Sequence, residues 1–255
     1  AEVYRHEGGD CLQHVSTMME PTAEADVYSF TIGNLVAGEY VIYTWIDYST
    51  DGNDALYDTS SLKAIGYKDD SHTVHADYRQ AYYGKTTAQV SEGQSTLPET
   101  IKAGLAFAHY RIEAVDVAAY ERMQHANGWP PLEETQVRVT YTSYVPVVFN
   151  ALTGQPVDAV AGRSFTADVS IGADGKVVLA DDYVFVTGSE SEVTIRIEIL
   201  NRNTQEVIAT ADGVVVNYRT GHLTTVSGSF LTADDALDGN VGVNTRWDGE
   251  YNIEF

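Results

Sequence analysis

Apolar and polar residues alternate with a period of two through much of this chain, the spacing at which successive side chains fall on opposite faces of a strand. Val193, Ile195, Ile197 and Ile199 predict a buried face, and Thr194, Arg196 and Glu198 a wet one. His109–Asp116 repeats the pattern, with Tyr110, Ile112 and Ala114 on one side and Arg111 and Glu113 on the other. Between Glu134 and Val148, Val137, Val139 and Tyr141 oppose Arg138, Thr140 and Thr142. Pro146 then predicts an end, a bend or an edge position, because proline cannot donate to a ladder. Tyr28–Ile32 alternates before Gly33-Asn34 breaks it, while Glu39–Asp47 (EYVIYTWID) is nearly all apolar and predicts a central strand covered on both faces. Tyr183–Val186, Val214–Val216, Leu223–Leu231 and Tyr251–Phe255 read as further strands.

One segment breaks the period. Asp116 stands where it can cap a first turn, Val117–His125 carries helix formers, and Gly128 followed by Pro130-Pro131 stops them, so a short helix is predicted here. Tyr48–Asp58 (YSTDGNDALYD) is a turn-rich loop, and Asn150–Gly162 (NALTGQPVDAVAG) collects small residues and turn formers. The second stretch predicts a boundary that divides the chain into residues 1–155, with the helix, and 156–255, a second all-β unit.

Composition agrees with sheet. Tyrosine occurs 17 times against seven Phe and three Trp, and aromatic and β-branched residues suit a pleated, half-buried surface. Charge narrows the partners. Fifteen Lys and Arg stand against 37 Asp and Glu, a net charge of −22, and the basic residues are spread singly. Nucleic acid and anionic lipid both demand a clustered basic face, so neither is an expected partner.

Candidate chemistry is sparse. The chain contains no G-x-S-x-G elbow, no H-E-x-x-H and no phosphate loop with its lysine, so neither an enzyme nor a cofactor is expected. The single Cys11 forbids an internal disulfide. His72 and His75 are three apart, a spacing that points them to opposite faces of an extended segment. Asp47–Asp54 and the turn holding Asp234, Asp235 and Asp238 offer carboxylates to a calcium ion, but without the spacing of an EF-hand. They equally read as ordinary turns. Tyr82, Tyr83 and Trp129 are candidates for a platform under sugar rings, whereas Trp45 lies inside its apolar run and predicts core.

Several stretches resemble the Bacteroidetes fimbrillin-like surface proteins: GEYVIYTWIDY (38–48), ALYDTSSL (55–62), RQAYYG (79–84), HYRIEAVDV (109–117), YVPVVFNALTGQP (144–156) and NYRTGHLTTVSGSFLT (217–232). Their order along the chain carries the resemblance, and together they span most of it. The resemblance implies an all-β architecture of two transthyretin- or Ig-like sandwiches. It implies export as a lipoprotein anchored through a residue upstream of Ala1, then display at the cell surface in a fimbrium, as a shaft, tip or anchor component. It also implies assembly with other fimbrial subunits by strand exchange: proteolysis removes an N-terminal strand, and a partner's strand fills the vacated groove. The cleavage arginine is expected after the first strand. Arg5, the only early arginine, stands before any strand the pattern reveals and is not assigned. Tyr251, Ile253 and Phe255 alternate as a donor strand would, or as the closing strand of the second sandwich. The alternative reading is a carbohydrate-binding module of a polysaccharide-uptake system, with surface glycans as partners and Trp129, Tyr82 and Tyr83 as the platform.

Overall fold

The computed structural model describes residues 1–6, 8–18, 28–50, 53–54, 56–68, 79–171 and 177–233. Within them the chain is an all-β, sandwich-type fold with one α-helix. The first sheet holds β1 (Glu2–Arg5), β2 (Gln13–His14), β3 (Gly38–Asp47), β8 (Ala81–Val90) and β9 (Ala103–Leu105) in the order β2-β1-β3-β8-β9. A two-stranded ribbon, β4 (Ser49–Thr50) with β5 (Asn53–Asp54), lies in the turn-rich loop. A second sheet runs β13-β12-β7-β6, from β6 (Tyr57–Asp58), β7 (Ile65–Tyr67), β12 (Val145–Asn150) and β13 (Gln155–Val160).

The other two sheets face each other across the largest core. One contains β10 (Phe107–Ala114), β15 (Ser170–Ile171), β16 (Val177–Phe185) and β19 (Leu223–Gly228), in the order β15-β16-β10-β19. Its counterpart contains β11 (Thr135–Tyr141), β14 (Ser164–Asp168), β17 (Glu190–Asn201) and β18 (Val207–Arg219), in the order β14-β11-β17-β18. Tyr110, Ile112, Leu179 and Val226 from the first sheet meet Val139, Ile195, Ile197, Val216 and Tyr218 from the second. The predicted facing of β10, β11 and β17 is therefore the observed one: Val193, Ile195, Ile197 and Ile199 are all buried.

A smaller aromatic core gathers Tyr57, Phe107, Phe149 and Phe185, with Trp45, Tyr67 and Tyr83 half-buried around it. Phe107 and Phe185 stack with ring centroids 4.3 Å apart, and Trp45 meets the Tyr57 ring edge-on at 5.4 Å. Trp45 is thus a core residue, as its apolar run predicts.

The expected division between 155 and 156 falls at the start of β13, in the hairpin that pairs β12 with β13. Sheet pairing crosses it elsewhere too, since β10 pairs with β16 and β19 and β11 with β14 and β17. Pro146 sits at a register irregularity of β12 and pairs only with Ala159 of β13, since β7 meets β12 only at Val148 and Phe149, so the proline stands at both a bend and a locally open side of the strand. Tyr28–Ile32 is not a strand. No strand pairs with it among the described residues, and its apolar residue Ile32, with Leu35, instead packs onto the small cluster of Val3, Tyr40, Ile42 and Ala88. Asn34, at φ 62°, turns the chain there.

The helix α1 (Val117–Asn127) forms where predicted and stops at Gly128, whose φ of 68° is left-handed. Its start differs from expectation. Asp116 makes no side-chain capping bond; its carboxylate accepts hydrogen bonds from the Leu231 and Thr232 N–H groups and the Thr232 hydroxyl.

Candidate functional site

Two features of the first sheet have the geometry to engage a partner. The N-terminal strand is the first. β1 lies antiparallel to β3, with Val3 opposite Ile42 and Arg5 opposite Tyr40, and β2 touches its outer side through two residue pairs. Four residues fold as a strand here because Val3 and Tyr4 bury their side chains and Glu2 becomes a buried acceptor. The Glu2 carboxylate accepts the Leu62 N–H at 2.9 Å and the Tyr4 hydroxyl at 2.5 Å. Burial pushes the Tyr4 phenol upward from its ordinary range, and the Glu2 hydrogen bond adds to it.

Arg5 ends this strand. It is exposed, its guanidinium lies 5.6 Å above the Tyr40 ring, and the exposed Gly8-Gly9 turn follows. The sequence reading that put Arg5 ahead of any strand is corrected. EVYR is too short for its period to show, and the partner that makes it a strand is β3, some 35 residues on.

The second feature is a groove of about 630 Å³ lined by β8, β9 and the turns at 151–154 and 220–221. Tyr82, Tyr83, Lys85, Lys102, Leu105, Thr153 and Thr220 are among the residues that line it, and along β8 Tyr83 and Lys85 share one face of the sheet while Tyr82 lies on the other. Its floor is narrow because glycine lets backbones close up. A Cβ on Gly84 would stand 2.6 Å from the Lys102 carbonyl, and one on Gly154 would stand 2.8 Å from the Tyr83 hydroxyl. Tyr83 meets Phe149 edge-on at 5.0 Å, which holds the ring upright against the aromatic core. The Tyr82 hydroxyl donates to Gln80 at 3.3 Å, and burial raises its pKa.

The sugar-platform candidates do not converge. Tyr82 and Tyr83 line this groove together, whereas Trp129 stacks on Tyr120 at 5.4 Å and packs half-buried against the largest core. Tyr251, Ile253 and Phe255 lie outside the described residues, as do His72, His75 and the Asp234–Asn240 turn; Asp47–Asp54 is described only in part. Among the described residues no group of three or more His, Cys, Asp or Glu side chains could hold a metal ion, and no helix is long and apolar enough to cross a membrane.

Composition alone conceals a buried polar network. Arg79 and Asp182 form a buried ion pair, and Asp182 also accepts the Tyr141 hydroxyl at 2.5 Å and the Tyr183 N–H at 2.7 Å. Tyr110 and Tyr141 share a hydrogen bond at 2.8 Å, and Arg79 donates to the Tyr67 hydroxyl at 3.0 Å. Arg163 stacks over the other part of this site, 4.6 Å from the Tyr67 ring centroid. The adjoining cavity, about 10 Å³, has room for a single water molecule. Groups of the network come from β7, β11, β16 and the segment just before β8, so it ties these elements together.

The model of the family described as "Family of unknown function (DUF6562)" matches residues 1–255. No curated protein matches this chain in sequence. Among solved structures, an inferred cell adhesion protein from Bacteroides ovatus is similar at 15% identity and a TM-score of 0.45, over 75% of this chain and 63% of that one. The chain thus spans less than two thirds of that relative's length. An inferred adhesin from Bacteroides thetaiotaomicron is similar at 10% identity and a TM-score of 0.43, covering 91% of this chain and 83% of its own. The fimbrial anchor protein Mfa2 from Porphyromonas gingivalis follows at 10% identity and a TM-score of 0.36, over 75% and 68%.

Proposed function

The chain belongs to the family of unknown function DUF6562, and we propose that it is a cell-surface structural and adhesion protein, a fimbrial subunit or accessory component that assembles by β-strand addition. The observation that carries this reading is β1: a short, buried strand that ends at an exposed arginine. Cleavage after Arg5 frees a segment held by two deeply buried apolar side chains, each worth roughly 1.5–3 kcal/mol. Its departure bares the edge of β3 over Tyr40–Tyr43 and the seat of Val3 against Tyr40, Ile42 and Ala88. An open edge of this kind offers unpaired N–H and C=O groups, and the vacated seat selects an apolar side chain from the incoming strand.

The sequence resemblance supports the same reading, since it implies loss of an N-terminal strand before assembly, and with it lipid-anchored display outside the cell. A second acceptor edge lies at β19, which among the described residues pairs on one side only. The alternating Tyr251, Ile253 and Phe255 suit either that edge or an edge on a partner.

Treatment with an arginine-specific protease followed by size-exclusion chromatography tests the proposal. Cleavage after Arg5 is expected to give a ladder of oligomers, and Arg5→Ala is expected to keep the protein monomeric under the same treatment. Cleaved protein that stays monomeric at high concentration overturns strand addition at β3.

A further inference from the structure

The groove between β8, β9 and the 151–154 turn has an unusual charge for this chain. Of 255 residues, 37 are Asp or Glu and five are Lys. Two of those five lysines, Lys85 and Lys102, line the groove, and among the described residues no carboxylate does. Gly84 pairs with Ala103 in the antiparallel register of β8 and β9. Lys85 follows Gly84 in β8 and Lys102 immediately precedes Ala103 at the start of β9, so the two lysines flank the last registered pair of these strands.

Arg79, Arg138, Arg196, Arg202 and Arg219 each meet an Asp or Glu, whereas Arg5, Arg163 and Lys63 lie over tyrosine rings and Arg122 donates to a backbone carbonyl. Neither Lys85 nor Lys102 has an ion pair or a hydrogen bond among the described residues, and the Tyr83 hydroxyl between them and the 151–154 turn makes no hydrogen bond either. Two lysines lining one groove that no described carboxylate lines, in a protein of charge −22, are complementary to an anion that the protein does not itself supply.

We infer that this groove binds an acidic oligosaccharide, with the carboxylate of one sugar at Lys85 and Lys102 and an adjacent neutral ring against Tyr83, which shares the face of Lys85. Size supports a short sugar chain over a folded partner. The groove's volume lies within the roughly 300–1,000 Å³ of small-ligand sites, whereas a protein interface buries on the order of 800 Å² per side. Charge sets the spacing of the anions. The field of −22 repels a densely charged polymer, so the ligand that fits carries one carboxylate among several uncharged rings. Tyrosine faces accept the C–H face of such rings, and Thr153, Thr220 and the Tyr83 hydroxyl are placed to meet their hydroxyl groups. This inference is independent of strand addition, because neither Arg5 nor β1 lines the groove.

Calorimetric titration of the full chain tests it with paired probes: sialyllactose against lactose, and glucuronate-substituted xylotriose against xylotriose. At least one acidic probe is expected to bind ten-fold or more tightly than its neutral counterpart, and to weaken as salt rises from 20 to 500 mM. The Lys85→Ala/Lys102→Ala variant is expected to lose that margin, and Lys85→Arg/Lys102→Arg to keep it. Both lysines are exposed, so the variants leave the core intact, which thermal melting verifies. Three results each overturn the inference: no preference for either acidic probe over its neutral partner, a preference that survives the double alanine variant, or 3′-sulfolactose or an acidic peptide binding more tightly than both carboxylate sugars.

Discussion

The carboxylate of Asp116 accepts the Thr232 N–H at 2.9 Å and the Thr232 hydroxyl at 2.8 Å, across 116 residues of sequence. It also takes the Leu231 N–H at 3.3 Å. A residue placed by its sequence to begin a helix thus fastens the segment that follows β19 to the start of α1. Leu231 and Phe230 are buried in the largest core, so this one carboxylate satisfies backbone donors that the core cannot.

Asp116→Ala leaves those donors without an acceptor in a dry setting, at about 1–3 kcal/mol for each unsatisfied group. The expected loss is about 2–4 kcal/mol in denaturant unfolding, with protection of the 230–232 amides in hydrogen exchange falling first. Asp116→Asn keeps one acceptor oxygen and is expected to lose less than half as much.

The Arg79–Asp182 pair predicts asymmetric mutational costs. Removing one partner strands the other charge in the interior, a cost of about 3–5 kcal/mol. Asp182→Ala is expected at the upper end, because Tyr141 and the Tyr183 N–H lose their acceptor as well. The double variant Arg79→Met/Asp182→Leu is expected to be more stable than either single substitution, a coupling read from a double-mutant cycle.

Alkaline pH attacks the same region. Burial pushes Tyr57, Tyr110 and Tyr141 well above the ordinary phenol range, and Tyr120 and Tyr218 up to about 12. A group whose folded pKa is raised contributes stability that is complete below its unfolded pKa, near 10 for tyrosine, and that disappears as pH climbs through the folded value. Stability is therefore expected to hold to about pH 10 and to fall between 10 and 12. Tyrosinate absorbance at 295 nm from the buried set is expected to appear only as circular dichroism is lost.

Fragments test the domain organisation. We propose that packing divides the chain near residue 105 rather than at 155, because the largest core draws on residues from Ala108 to Leu231. A fragment of residues 156–255 lacks β10 and β11, the partners of β16 and β17, and is expected to show no cooperative melt. Residues 106–255 are expected to melt cooperatively. A folded 156–255 fragment would restore the boundary read from the turn-rich segment.

Much of this was legible in the sequence wherever one residue's environment follows from its near neighbours. The buried faces of β10, β11 and β17 follow from period-two alternation, and Ile197→Asp, which sets a carboxylate in the middle of that interior, is disfavoured on the sequence pattern and the structure alike. Gly128 ended α1 as its backbone freedom predicts. What stayed hidden depends on distant partners. Tyr28–Ile32 has the alternation of a strand but finds no sheet, while EVYR has too few residues to show a period and becomes one beside β3. The tyrosine pair was visible as a candidate platform. The lysines were not, because Lys85 and Lys102 come to line one groove only through the pairing of β8 with β9.

The pairing of β10 with β19 is parallel, from His109 opposite Leu223 to Ala114 opposite Gly228. A pull on the chain that reaches this pair draws β10 from its N-terminal end and β19 from its C-terminal end, so the strands must slide past one another. All six registered positions then bear the load together, where an antiparallel hairpin would unzip one rung at a time. Rupture along this seam therefore requires the whole pairing to fail at once.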